Sequence, residues 1–220
     1  MTSAPIIDKL ALIGVGLIGG SIARAAREYG VVRSIVATAR SEATRKRVAE
    51  LGIVDQVVET NAEAAKGADL VIVCIPVGAS GPVAQQIASA LRPGAIVSDV
   101  GSVKGSVLAD MEPHIPKDVH LIPAHPVAGT ENSGPDSGFA ELFVNRWCIL
   151  TPPDGADPAA VEKLNAFWSA LGANVEVMTA EHHDMVLAIT SHLPHLIAYT
   201  IVGTAEEFST VSRSEVPTIV

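Results

Sequence analysis

Apolar and polar positions along this chain follow two periods in turn. Runs that are apolar almost throughout, at 9–13, 34–38, 70–75, 95–99 and 120–123, are strand-sized. Between them lie segments with helical spacing at 17–29, 42–51 and 81–91, and another that follows Gly101-Ser102 and reaches 111. A short strand near 56–58 and a small helix after Asn61 complete the series. Unbroken apolar runs are what parallel strands buried on both faces show. Local signals agree. Gly30 and Gly52 end helices, Ser41 caps the charged helix at 42–51, Pro76 ends a strand and Pro93-Gly94 turns into the next. The alternation predicts an α/β fold with a doubly wound parallel sheet. A last unit adds a strand at 147–150, a helix at 158–171 started by Pro158 and a strand at 174–178. From Thr179 the spacing is helical only: one helix at 180–190, a break marked by Ser191 and Pro194, and a second helix to 208. The chain therefore divides into residues 1–178 and a partial all-α part, residues 179–220.

The first strand runs into Gly14-Val15-Gly16-Leu17-Ile18-Gly19, a G-x-G-x-x-G turn that opens a helix. Gly14 permits the tight turn, Gly16 lets a pyrophosphate approach the backbone, and Gly19 lets helix and strand pack closely. The phosphates then meet the free N–H groups and the positive dipole end of the helix, around Leu17 and Ile18. Strand, glycines and helix in that order predict a dinucleotide-binding (Rossmann) domain over residues 1–178. In such folds an acid about 20 residues on holds the ribose 2′-hydroxyl of NAD. Here the second strand ends Thr38-Ala39-Arg40-Ser41, with no acid. Arg40 and Ser41, with Arg45 behind them, suit a 2′-phosphate, so NADP is favoured over NAD. A solvated charge at a strand end is the plainer alternative for Arg40.

Composition narrows the partners. The net charge of −9 argues against nucleic acid or an anionic membrane, and requires local cations for any anionic substrate. Cys74 and Cys148 each lie in an apolar strand-like run and read as reduced, buried thiols. Residues 1–8 lack a basic region followed by an apolar core, and the apolar runs read as strand-sized. A cytoplasmic protein without a membrane span is expected.

Ligands of open α/β sheets bind beyond the carboxyl ends of the strands. Three segments fall there: Cys74-Ile75-Pro76-Val77, Asp99-Val100-Gly101-Ser102-Val103-Lys104 and Ala124-His125-Pro126-Val127-Ala128-Gly129-Thr130-Glu131. Pro76 and Val77 are expected to border the cofactor. His125 is a candidate proton acceptor near neutral pH. Ser102 reads as a helix N-cap, a ligand, or both. Lys104 is a substrate contact or a solvated first-turn lysine. The stretch 125–145, rich in Gly, Ser, Pro and Asn, reads as a long functional loop. His182, His183, His192 and His195 do not read as a metal site, because no Cys or paired carboxylate completes one.

The His125–Glu131 motif, the Asp99–Lys104 motif and Ser191-His192-Leu193-Pro194-His195 together resemble the prephenate/arogenate (cyclohexadienyl) dehydrogenase family of tyrosine biosynthesis. The resemblance implies oxidative decarboxylation of prephenate or arogenate with NAD or NADP. It makes His125 the catalytic histidine and gives Ser102 the substrate hydroxyl. It lines the substrate pocket with Thr130, Ser191, His192 and His195. His183-Asp184 matches a further His-Asp of the family, which makes His183 a substrate-pocket candidate beside the plainer reading of a surface histidine. It also implies a homodimer through the helical region. The family's helical domain is longer than residues 179–220 and carries, further on, an arginine for the ring carboxylate. A shortened chain is thus expected, with an inert nucleotide-binding or dimerising module, or another short hydroxy-acid dehydrogenase, as alternatives.

Overall fold

The computed structural model describes residues 4–215, so the stretch read for a targeting signal begins outside the described residues. The chain folds as two compact units, 1–183 and 184–220. The first is built on a six-stranded parallel sheet ordered β3-β2-β1-β4-β5-β6. Its strands are β1 (Ile7–Ile13), β2 (Val32–Thr38), β3 (Gln56–Val57), β4 (Leu70–Val73), β5 (Ile96–Asp99) and β6 (His120–Leu121). Helices α1 (Leu17–Glu28), α2 (Glu42–Leu51), α3 (Asn61–Ala65), α4 (Ser80–Ile87) and α5 (Gly105–Met111) connect them. Side chains alternate across the sheet, as period two requires. Leu10, Leu12, Ile35, Leu70 and Ile72 pack with Ile22, Ala25 and Ala26 of α1. Ala11, Ile13, Val71, Val73 and Val97 pack with Val83, Ala84 and Ile87 of α4 and Val107 and Met111 of α5. Covering both faces explains why β4 is apolar at every position.

The last strands do not extend this sheet. Ile122 N–H donates to Val97 O, and then Pro123 brings no N–H to the ladder. The strand expected at 120–123 ends early, and the chain enters a second sheet ordered β7-β8-β9. In it, β7 (Ala124–Pro126) runs antiparallel to β8 (Trp147–Leu150), and β9 (Asn174–Val177) runs parallel to β8. Helix α6 (Pro158–Ala170) places Trp168 in the core, edge-on to Phe143 and Phe167. The loop after β7 is a strap rather than a free excursion. Phe139 N–H donates to the Ser21 hydroxyl (3.1 Å), Arg24 Nη1 donates to Pro135 O (3.2 Å), and Arg47 pairs with Asp136 (2.5 Å).

Helix α7 (Ala180–Leu187) begins in the first unit, and α8 (Leu193–Glu215) lies in the second. The break expected at Ser191 and Pro194 is instead a π-turn, Ala188–His192, that carries the helix onward. A proline cannot donate to the fourth carbonyl back, and a wider turn accommodates its ring without ending the helix. The apolar run is therefore longer than the strand-sized pieces expected. Residues Ala180–Phe208 form one helix of 29 residues with mean hydropathy 1.5, long and apolar enough by length and composition alone to cross a membrane. In the second unit Leu196, Ile197, Ile201, Val202 and Phe208 are exposed.

Candidate active site

The order of strands reverses between β1 and β4, so the crevice opens at their carboxyl ends. Gly14 follows β1 with φ +94°, a left-handed conformation natural only to glycine. A Cβ there would stand 2.3 Å from the Cys74 carbonyl oxygen, and one on Gly19 would stand 2.3 Å from the Gly14 carbonyl oxygen. Both glycines are therefore packing requirements. Gly16 differs: a Cβ there would meet nothing within 4 Å. It caps α1 with no side-chain hydrogen bond and no acid in the first turn. Open space before uncapped N–H groups is what a pyrophosphate needs, so these residues fit a dinucleotide.

Leu17 and Ile18 are half-buried in the first turn of α1, and Pro76 and Val77 begin the turn after β4. Arg40 is exposed just past β2. Ser41 is committed to capping α2: its Oγ accepts from Thr44 N–H at 3.1 Å. Arg45 Nη1 donates to the carbonyls of Ala39 (2.9 Å) and Arg40 (3.4 Å), which steadies the loop that carries Arg40.

His125 sits in β7, 8% exposed, with Nδ1 2.8 Å from Nε2 of His183. The imidazoles meet edge to face with centroids 5.1 Å apart. His183 is fully buried, so the surface reading does not hold for it, whereas His182 is exposed. One proton lies between the two nitrogens. When Nδ1–H of His125 donates, the lone pair of His125 is on Nε2, and His183 can hold the ring in place through a change of its protonation.

The Asp99–Lys104 segment departs most from expectation. Ser102 is exposed and does not cap α5; that position is Lys104, whose side chain does not cap either. Lys104 is neither solvated nor open to substrate: it has no exposed surface, and its Nζ donates to Asp99 Oδ2 (2.5 Å) and Ala124 O (2.7 Å). Asp99 also accepts from Gly101 N–H (2.7 Å) and Ala124 N–H (3.1 Å). Burial pushes its carboxyl above the usual carboxylate range, opposed by the Lys104 ammonium and these donors. Burial likewise raises the thiols of Cys74 and Cys148, so neither is a ready nucleophile. Sequence reasoning gives Asp99 no part in the site. The available signal is an acid ending an apolar strand with a lysine five residues on.

Thr130 is exposed in the loop after β7, and its Oγ1 accepts from Asn132 N–H at 3.2 Å. Ser191, His192 and His195 belong to the second unit, where His195 Nδ1 lies 2.8 Å from Ser191 O.

Comparison with known proteins identifies the family. Residues 22–177 match the family model described as prephenate dehydrogenase, nucleotide-binding domain, and residues 179–216 match prephenate dehydrogenase, dimerization domain. A cyclohexadienyl dehydrogenase of Zymomonas mobilis is 42% identical over 211 residues, covering 96% of this chain and 72% of the relative. A prephenate dehydrogenase of Bacillus subtilis is 32% identical over 89% of this chain, which spans 53% of that relative. The crystal structure of a prephenate dehydrogenase from A. aeolicus with hydroxyphenyl propionate and NAD+ superposes with a TM-score of 0.83 at 32% identity, covering 90% of this chain and 68% of that one. An arogenate dehydrogenase from Synechocystis gives 0.80 at 26%, covering 96% and 75%.

Proposed function

The chain belongs to the prephenate dehydrogenase family, and from that premise we propose that it carries out oxidative decarboxylation of prephenate or arogenate, with His125 as proton acceptor. The observation that carries this reading is the buried His125–His183 pair in the same unit as the glycine turn. A bound nicotinamide dinucleotide would supply the hydride acceptor. Gly14, Gly16 and Gly19 would hold it, with Leu17, Ile18, Pro76 and Val77 beside it. His125 Nε2 takes the proton of the ring hydroxyl as hydride leaves the same carbon. The ring carboxylate departs as carbon dioxide, and its bonding electrons complete the aromatic ring. The imidazolium then returns its proton to the new phenolic oxygen. Throughout, His183 accepts from Nδ1–H and keeps the ring aimed. Ser102, exposed in the loop after β5, offers its hydroxyl to the substrate. Thr130, Ser191, His192 and His195 are the remaining proposed substrate contacts. Covering of the exposed α8 side chains by a second copy fits the dimerization domain matched there, and a cytoplasmic setting belongs to the same reading.

The decisive assay supplies prephenate and arogenate with each dinucleotide and follows cofactor reduction and the aromatic product. Turnover of either supports the proposal. Turnover only of a small aliphatic hydroxy acid replaces it with the other dehydrogenase reading, and dinucleotide binding without any turnover replaces it with an inert module.

NADP is the cofactor we favour, because Arg40 is exposed beyond β2 and no acid stands there. A charge-assisted hydrogen bond contributes about 1.5–3 kcal/mol, roughly 10-fold or more in affinity. Arg40→Asp is accordingly expected to raise KM for NADP+ at least about tenfold while leaving NAD+ use intact. An unchanged KM for NADP+ removes Arg40 from the cofactor site.

A further inference from the structure

β7 is an edge strand, yet its outward backbone is not left open. On the β8 side, Pro123 O accepts from Thr151 N–H (2.9 Å) and Val127 N–H donates to Trp147 O (2.8 Å). With His125 opposite Ile149 and Ala124 opposite Leu150, alternation turns His125's backbone groups toward β8 and those of Ala124 away. Among the described residues no strand lies on that outer side. Two side chains stand in for one. Asp99 Oδ1 accepts Ala124 N–H, and Lys104 Nζ donates to Ala124 O, while the two are joined to each other at 2.5 Å.

We propose that the Asp99–Lys104 pair is a positioning device for His125, clamping both backbone groups of the preceding residue and so setting where the imidazole stands over the carboxyl ends of the parallel strands. This rests on the reading of His125 as proton acceptor. In a strand the direction of a side chain follows from the adjoining peptide planes. Pinning Ala124 at N–H and C=O fixes the plane that leads into His125. Asp99 ends β5 and Lys104 leads into α5, so the pair ties the second sheet to the first at the residue before His125. A buried ion pair is weak evidence for stability, because apolar replacements are often neutral. Geometry is the better account of why this one is present.

The test uses Lys104→Met, and the double variant Asp99→Asn/Lys104→Met, which leaves no unpaired buried charge should the single variant fold poorly. Displacing a catalytic group by about 1 Å costs on the order of 100-fold. Turnover is expected to fall roughly 10–100-fold, with KM for the dinucleotide unchanged. In a His125→Asn background the same substitutions should cost nothing further. A raised substrate KM with additive loss marks a substrate contact instead. A lowered Tm with specific activity intact marks a purely structural pair. Either result overturns the proposal. The imidazole nitrogen resonances of His125 give a readout independent of turnover: they should move in both variants. If they stay in place the clamp is wrong, whatever the chain catalyses. If they move in a chain that turns over no substrate, the clamp stands and only the activity reading falls.

Discussion

His125→Asn lowers turnover by on the order of 10²–10⁴-fold while dinucleotide affinity stays within about twofold. The magnitude is that of a positioned general base, since aromatisation of the ring supplies the driving force and leaves the protein mainly to orient and deprotonate. Asparagine is the sharper choice over alanine. It roughly keeps the volume beside His183, and its amide can still meet His183 Nε2, so the buried partner is not orphaned. What it cannot do is take a proton. The proposed cofactor residues lie on the β1–α1 turn and after β4, so dinucleotide binding should be spared. Steady-state rates with dinucleotide titration by fluorescence check both halves. An unchanged rate takes His125 out of the mechanism, and a parallel loss of dinucleotide affinity makes it a packing residue.

What the sequence disclosed of this arrangement follows a physical line. The parallel sheet was legible because each strand is buried on both faces and each helix carries a single apolar stripe; the pattern along the chain is a direct projection of burial. Gly14 and Gly19 were legible for the same reason, since their backbone demands exclude other residues. The second sheet was not. Ala124-His125-Pro126 is three residues long, and one apolar position among them carries no period. Its partner β8 is parallel to β9 and antiparallel to β7, a pairing that only tertiary contact decides.

Lys104 shows the same limit for single side chains. Lysine is almost never fully buried unless paired, so a lysine leading into a helix reads as solvated. Burial became possible only because Asp99, five residues earlier, and the carbonyl of Ala124, twenty residues later, converge on one ammonium. His183 is the converse case. A histidine next to an exposed histidine in a short helix has no sequence signature of burial, yet it is the contact partner of His125. At Pro194 the wider context prevails over a local rule: proline breaks a helix unless the turn before it widens, as Ala188–His192 does.

Two substitutions in the glycine turn separate holding the fold from holding the cofactor. Gly16→Val is expected to weaken dinucleotide binding roughly 5–150-fold, the equivalent of about 1–3 kcal/mol of overpacking, with a smaller fall in Tm than a side chain at Gly14 brings. Gly16 has φ −96° and ψ −150°, at the margin of the extended region, so a side chain there carries some backbone strain, but its Cβ meets no protein atom within 4 Å. The added atoms enter instead the space before the first-turn N–H groups of α1, the position proposed for the pyrophosphate. Gly14→Ala is expected to act on the fold itself. Its φ of +94° is strained for any residue with a Cβ, and that Cβ stands 2.3 Å from the Cys74 carbonyl oxygen, a backbone atom just past β4. Strain and overlap each cost about 1–3 kcal/mol, so Tm and binding should fall together. Calorimetric melting beside dinucleotide titration distinguishes the two. If Gly16→Val binds as the parent chain does, the phosphates lie elsewhere, and the turn serves only to pack α1 against the sheet.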